Sequence, residues 1–186
     1  MKTKKAMLVG VILLLMVLLG ACAAPATETV TFPDENLEAG IRAALGKPAG
    51  EAITPAELAG LTELDARMHG ITDLSGIEYC INLTVLGLMG NQISDLSPLA
   101  SLTNLTYLNL GANQISVLSP LASLTNLTWL YLRANRISDI SPLVENSGLG
   151  PGDIVILSNN NLDLSEGSED LEDIKQLQGR GVEVNY

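Results

Sequence analysis

Between Leu61 and Gly148 the apolar residues return with a fixed spacing, and the chain reads as four successive lines of 22 residues. These are LTELDARMHGITDLSGIEYCIN, LTVLGLMGNQISDLSPLASLTN, LTYLNLGANQISVLSPLASLTN and LTWLYLRANRISDISPLVENSG, and the middle two match at 17 of 22 positions. In the second line the apolar side chains are Leu83, Leu86, Leu88, Ile93, Leu96, Leu99 and Leu102. No single helical or strand period gives that spacing. A coil does: a short strand, a turn, then a tight helical segment, with every apolar side chain turned to a shared interior. One such coil cannot bury its apolar face alone, so the coils must stack, which makes the repeat region a solenoid.

Within each coil the strand is expected at about the third to seventh positions, with the two leucines inward and their neighbours outward, because side chains alternate along a strand. Stacked strands then form a parallel sheet. The ninth position carries Asn91, Asn113 and Asn135, with Asn160 in a degenerate fifth coil and His69 in the first. An amide at every turn can satisfy backbone groups that the turn leaves unpaired inside the stack, each of which would cost about 1–3 kcal/mol if orphaned. These five residues are therefore read as a structural ladder. His69, the only histidine, has no Cys, His or carboxylate neighbours at metal-binding spacing. Ser97-Pro98, Ser119-Pro120 and Ser141-Pro142 open the segments after the turn, with Ser expected to cap and Pro to set φ for short 3₁₀-like turns. Cys80 falls on an inward position and reads as a buried small apolar residue.

A stack has two open ends that need covers. PDENLEAGIRAAL, from Pro33 to Leu45, reads as a helix with Asp34 as N-cap, an apolar stripe at Leu37, Ile41 and Leu45, and Gly46 as its stop. Thr54-Pro55-Ala56-Glu57 has the form of a capping box and predicts a second short helix to Ala59. At the far end, Gly150-Pro151-Gly152 breaks the register and a fifth strand follows three residues late at Ile154 to Leu157. A helix capped by Ser168 runs to Gln178, and Val182-Glu183-Val184 is expected to shield the sheet edge as a last strand. Asn161, Asp163, Ser165 and Glu172 fall at calcium-loop spacing, but Glu166 stands where that loop needs Gly, so an acidic helix start is the plainer reading and no metal site is expected.

The chain's 186 residues carry a formal charge of −11. Without the first 21 residues, which hold Lys2, Lys4 and Lys5, 7 basic groups face 21 acidic ones. Such a surface repels phosphate backbones, which argues against nucleic acid as a partner. Those 21 residues, a basic start followed by an apolar run from Ala6 to Leu19 that is shorter than the ~20 residues of a membrane-spanning helix, read as a signal peptide. The run ends in Leu19-Gly20-Ala21-Cys22, which resembles a bacterial lipobox. That resemblance implies cleavage before Cys22 and a diacylglyceryl group on its thiol; an ordinary secretory signal and a transmembrane anchor are the alternatives. Residues 22–31 then form a short tether, 32–60 the helical N-terminal cap, 61–162 the repeats and 163–186 the C-terminal cap.

The pattern LxxLxLxxNxIxDxSPLxxLTN, present here as LTYLNLGANQISVLSPLASLTN, resembles the 22-residue leucine-rich repeat of internalin-type bacterial surface proteins. With the caps, the resemblance covers about residues 32–186. It implies an α/β solenoid, a leucine-rich repeat horseshoe with a parallel concave sheet used for binding. Internalins carry more repeats, and many carry an immunoglobulin-like domain and a wall anchor. None of these is seen in this sequence, so host-cell invasion is not carried over. Asn82-Leu83-Thr84 and its two equivalents fit a glycosylation sequon because the repeat recurs.

Between the second and third lines the differences concentrate at Val85/Tyr107, Gly87/Asn109, Met89/Gly111 and Gly90/Ala112, in or beside the strand. The fourth line adds Trp129, Tyr131 and Arg133. Outward aromatic residues on adjacent strands mark a contact surface, so Val85, Met89, Tyr107, Asn109, Trp129, Tyr131 and Arg133 are the candidate binding residues. The expected partner is a protein, peptide or glycan on the concave sheet, the membrane being reached through lipid on Cys22. The chain is expected to be a monomer without cofactor. A spacer protein with no ligand is the alternative. Catalysis is not expected: the sequence offers no nucleophile elbow and no clustered metal ligands, and Glu63 and Asp65 are the only carboxylate pair on the binding face.

Overall fold

The computed structural model describes residues 28–186, so the expected signal peptide and Cys22 lie outside the described residues. Six strands form one sheet in sequence order, each parallel to the next. They are β1 (Glu63–Asp65), β2 (Val85–Gly87), β3 (Tyr107–Asn109), β4 (Trp129–Tyr131), β5 (Ile154–Ile156) and β6 (Glu183–Asn185). Pairing from β1 to β4 advances by one repeat at every step, Leu64 beside Leu86, Leu108 and Leu130. The regular strands are three residues long, shorter than the leucine spacing suggests. The last strand expected at Val182 to Val184 is β6, one residue later, and it covers the sheet edge by pairing parallel with β5. The glycine-proline interruption is absorbed between β4 and β5, where Trp129 meets Ile154 three residues later than the repeat would place it.

The interior is a column of leucine and isoleucine. Leu83, Leu86, Leu88, Ile93, Leu96, Leu99 and Leu102 are all buried, as are their counterparts in the next coil from Leu105 to Leu124. Cys80 belongs to this column, and burial, with the nearby Glu78 charge, pushes its thiol pKa up to about 12. A thiol so placed is inert at neutral pH.

Each turn is held by an amide that reaches back one coil. Asn91 Oδ1 accepts from the N–H groups of His69 and Ile71 at 3.1 and 3.0 Å, while its Nδ2 donates to Ala66 O and Leu88 O at 2.9 and 2.8 Å. Asn113 serves Ile93 N, Leu88 O and Leu110 O; Asn135 and Asn160 repeat the arrangement. His69 departs from the ladder reading: its side chain is exposed and Nδ1 turns to its own coil's Arg67 O at 2.7 Å. The physical reason is positional. A ladder side chain serves the coil before it, and the first coil is preceded only by the cap.

A second ladder runs along the other edge. Asn82, Asn104 and Asn126 donate Nδ2 to Ala59 O, Ile81 O and Thr103 O at 2.8, 2.9 and 2.8 Å. The sequon asparagines thus have a structural job, and the nitrogen a glycan would take is hydrogen-bonded.

The 3₁₀ segments Ile77–Tyr79, Ser97–Leu99 and Ser119–Leu121 follow the turns, and the fourth coil uses a short α-helix, α3 (Ser141–Glu145). The serines do not cap them. Leu96, Leu118 and Ile140 occupy the cap positions without a side-chain bond. Instead Asp95 Oδ1 accepts the Ser97 N–H and hydroxyl at 2.8 and 2.6 Å, and Asp139 takes the Ser141 N–H at 2.9 Å. At Ser97 and Ser141 the Asp two residues ahead closes an Asx turn and outcompetes the hydroxyl as acceptor; Ser119 has Val117 at that place and makes no cap either.

The N-terminal cap is α1 (Glu35–Leu45) and α2 (Pro55–Leu58). Val30, expected in the tether, already belongs to the cap, bridging antiparallel to Ile53 through a 2.8 Å hydrogen bond. Asp34 fastens the cap to the first coil. One oxygen accepts the Asn36 and Leu37 N–H groups at 2.9 and 3.0 Å, capping α1. The other accepts the Thr72 N–H and hydroxyl at 2.7 and 2.9 Å and the Asp73 N–H at 3.2 Å. Burial works against ionisation there, but the donors from Thr72, Leu37 and Asp73 outweigh it and hold the carboxyl below the usual carboxylate range. Hydrogen bonds from Lys47, then from the Thr54 N–H and hydroxyl, draw Glu57 in the α2 capping box down to about 2. A depressed folded pKa contributes stability above the unfolded value that is lost as pH falls through the folded one. The cap is therefore expected to loosen between about pH 4.5, the ordinary carboxyl value of Glu57, and about 2. Asp34→Ala should remove most of the Asp34 share, about 2 kcal/mol or more at neutral pH. Denaturant melts of both chains at pH 7 and pH 3 check this: the gap between them should shrink as the pH drops.

At the other end, α4 (Glu169–Gly179) is capped by Ser168 and packs Ile174 and Leu177 on the core. The calcium-like spacing resolves into local bonding. Asp163 Oδ1 accepts the Ser165 N–H, and Glu172 pairs with Lys175 at 2.7 Å.

Candidate binding face

Because the strands are in register, the outward side chains form two rows across the sheet. One runs Glu63, Val85, Tyr107, Trp129, Ile154 and Glu183; the other runs Asp65, Gly87, Asn109, Tyr131, Ile156 and Asn185. Their central stretch is apolar and aromatic. Trp129 is 44% exposed despite its size, and the Tyr107 and Tyr131 rings lie diagonally across the sheet with centroids 5.6 Å apart at 45°. That tilted contact fixes two rings against each other and leaves less side-chain freedom to lose on binding. Ile154 and Ile156 extend the ledge onto β5. They were not singled out from sequence, because Ile154 to Leu157 is one unbroken apolar run that hides the alternation.

The first two strands build something different. Gly87 lacks a side chain, and the gap opens a depression of about 350 Å³ lined by Glu63, Asp65, Arg67, Val85, Tyr107 and Asn109. Arg67 folds over it in a two-pronged pair with Asp65, Nε to Oδ1 at 2.7 Å and Nη2 to Oδ2 at 2.6 Å. A Cβ at Gly87 would sit 3.4 Å from Arg67 Cγ and 3.3 Å from Asp65 Oδ1, so the pair lies close over the bare glycine. Arg67 in turn holds the Asp65 carboxyl below the usual carboxylate range. An acid–base pair needs one carboxyl kept protonated; Asp65 is driven the other way, and this corner presents fixed charge. Arg133 repeats the theme on β4's side, its Cγ over Gly111, whose N–H is taken by Asn109 Oδ1 at 3.1 Å.

Of the sequence candidates, Val85, Tyr107, Asn109, Trp129 and Tyr131 lie in the two rows, and Met89 and Arg133 follow their strands at the rim. Glu63, Asp65, Arg67 and the β5 isoleucines complete the face. Among the described residues no group of three or more His, Cys, Asp or Glu side chains is placed to hold a metal ion, and no helix is long and apolar enough to cross a membrane.

The family described as leucine rich repeat matches residues 81–137. Internalin H of Listeria monocytogenes is 39% identical over 69 residues, 37% of this chain and 13% of that protein. The crystal structure of an internalin (inlF) from Listeria monocytogenes is similar over 87% of this chain and 46% of its own, with 38% identity and a TM-score of 0.74. A leucine-rich repeat protein of Leptospira interrogans reaches a TM-score of 0.60 at 24% identity, over 70% of this chain and 32% of that one, and supports the fold alone. The chain spans less than half the length of either Listeria protein. These likenesses and the in-register parallel sheet make the fold of this chain a leucine-rich repeat solenoid similar to that of internalins.

Proposed function

We propose that this chain is a non-enzymatic binding module of the bacterial cell envelope, recognising a protein, peptide or glycan with its concave sheet and held at a membrane by lipid on Cys22. The observation that carries the reading is the ledge on adjacent strands formed by exposed Trp129 with half-buried Tyr107 and Tyr131, while most other large apolar side chains among the described residues are buried. Six strands at about 4.8 Å spacing span about 24 Å, which suits a peptide segment, a glycan or one edge of a protein. Tethering would raise the effective concentration and offset the small area.

The test is capture on peptide and glycan arrays and from envelope extracts, with Trp129→Ala/Tyr131→Ala beside the parent chain. Aromatic hot spots contribute about 2 kcal/mol or more each, so each single change should weaken binding roughly thirtyfold and the double variant up to roughly a thousandfold. Unchanged capture would favour the ligand-free spacer. Anchoring is tested separately: mass spectrometry of membrane-extracted protein should find a diacylglyceryl-modified Cys22, and a free Cys22 thiol would overturn that part alone.

A further inference from the structure

Five methionines occur in the chain, and after residue 21 only Met68 and Met89 remain; His69 is the sole histidine. These three side chains line one depression of about 420 Å³ at the first-coil edge of the sheet, with Asp65 and Arg67. The backbones are neighbours, the Met68 N–H donating to Met89 O at 2.9 Å.

Met68 is out of place by structural criteria. It holds the left-handed turn position at φ 58°, where the other coils put Gly90, Ala112, Ala134 and Asn159. A long side chain gains nothing from that backbone, and at 70% exposure it gains little from burial. What Met68 brings is a thioether. His69 is oriented as metal-binding imidazoles are. Its Nδ1 lies 2.7 Å from Arg67 O, and a carbonyl can only accept, so Nδ1 is the donor there and Nε2 is the nitrogen left for a metal. The Arg67 guanidinium, which lines the depression, is occupied by Asp65 through two hydrogen bonds.

Two thioethers are soft ligands and imidazole suits copper, a set that selects copper(I) over harder ions, which take oxygen donors. We propose that Met68, Met89 and His69 bind one soft monovalent cation of the copper(I) class, through both sulfurs and Nε2. The ion arrives reduced and no electron is transferred. The acidic surroundings, in a chain of formal charge −11, favour a complex whose ligands carry no charge of their own.

The test uses the full chain in detergent with Cys22→Ser, which removes a competing thiol; Cys80 is buried and stays. Silver(I), a redox-inert stand-in, is titrated anaerobically while methionine methyl resonances are followed by NMR. One equivalent should shift the two resonances that disappear in Met68→Leu and Met89→Leu. Copper(I) competition against bicinchoninate should show at least tenfold weaker binding for Met68→Leu/Met89→Leu and for His69→Gln. Leucine preserves size and apolarity, and circular dichroism confirms the fold of each variant. Unmoved methyl resonances at one equivalent, or equal copper(I) affinity in the double leucine variant, would overturn the site.

Discussion

Gly148→Ala is expected to disrupt the fourth and fifth coils, with a loss of about 4 kcal/mol or more, at the exceptional end for one methyl group. A Cβ built on Gly148 falls inside contact distance of the Thr125 carbonyl oxygen, carbon and Cα. The obstacle is main chain one coil back, and no rotamer change relieves it. Neither coil can retreat, because Thr125 is flanked by Leu124 and Leu127 in the packed column. Urea denaturation should give a markedly lower midpoint, and hydrogen exchange should show protection lost first around β4 and β5. A midpoint within about 1 kcal/mol of the parent, the usual range for a tolerated substitution, would mean the close approach does not exist.

Asn146→Leu is the second large effect, and its direction runs against the repeat. In the second and third coils this position is Leu102 and Leu124, so a sequence average would judge leucine an improvement. Asn146 is buried, yet its Nδ2 donates to Leu121 O and Leu124 O at 3.0 and 3.1 Å and its Oδ1 accepts the Gly148 N–H at 2.9 Å. Leucine would leave the Gly148 N–H without its acceptor and strip Leu121 O and Leu124 O of a second donor, each keeping only its bond from the Leu124 or Leu127 N–H. At about 1–3 kcal/mol for the orphaned N–H, with the two lost bonds to buried carbonyls added, the expected destabilisation is about 2 kcal/mol or more by equilibrium denaturation. A neutral or stabilising result would show that the segment repacks as an ordinary coil. The two residues explain each other: the amide turns the chain at the point where three extra residues enter, and the glycine lets the turn lie against the coil below.

The leucine spacing carried the coil, its stacking and the parallel sheet, because an inward position tolerates only apolar side chains and the repeat samples each position four times. It also carried the ladder from Asn91 to Asn160, since an invariant polar residue inside an apolar repeat needs a structural reason. It was weakest at the ends. His69 sits where the ladder has nothing to serve, and the last strand read at Val182 to Val184 forms one residue later, at Glu183–Asn185. Asn146 was invisible because its meaning depends on a carbonyl 25 residues away. On the binding face, aromatic variation exposed Tyr107, Trp129 and Tyr131. The charged corner depends on Gly87, and a missing side chain leaves no mark in a hydrophobicity pattern.

The central claim is that the aromatic ledge is where a partner sits, and Trp129 is the chain's only tryptophan. Acrylamide quenching of its fluorescence, free and in the presence of a captured partner lacking tryptophan, tests this directly. Efficient quenching of the free chain, with strong protection and a blue-shifted emission in the complex, is the predicted result; equal quenching in both states would contradict it.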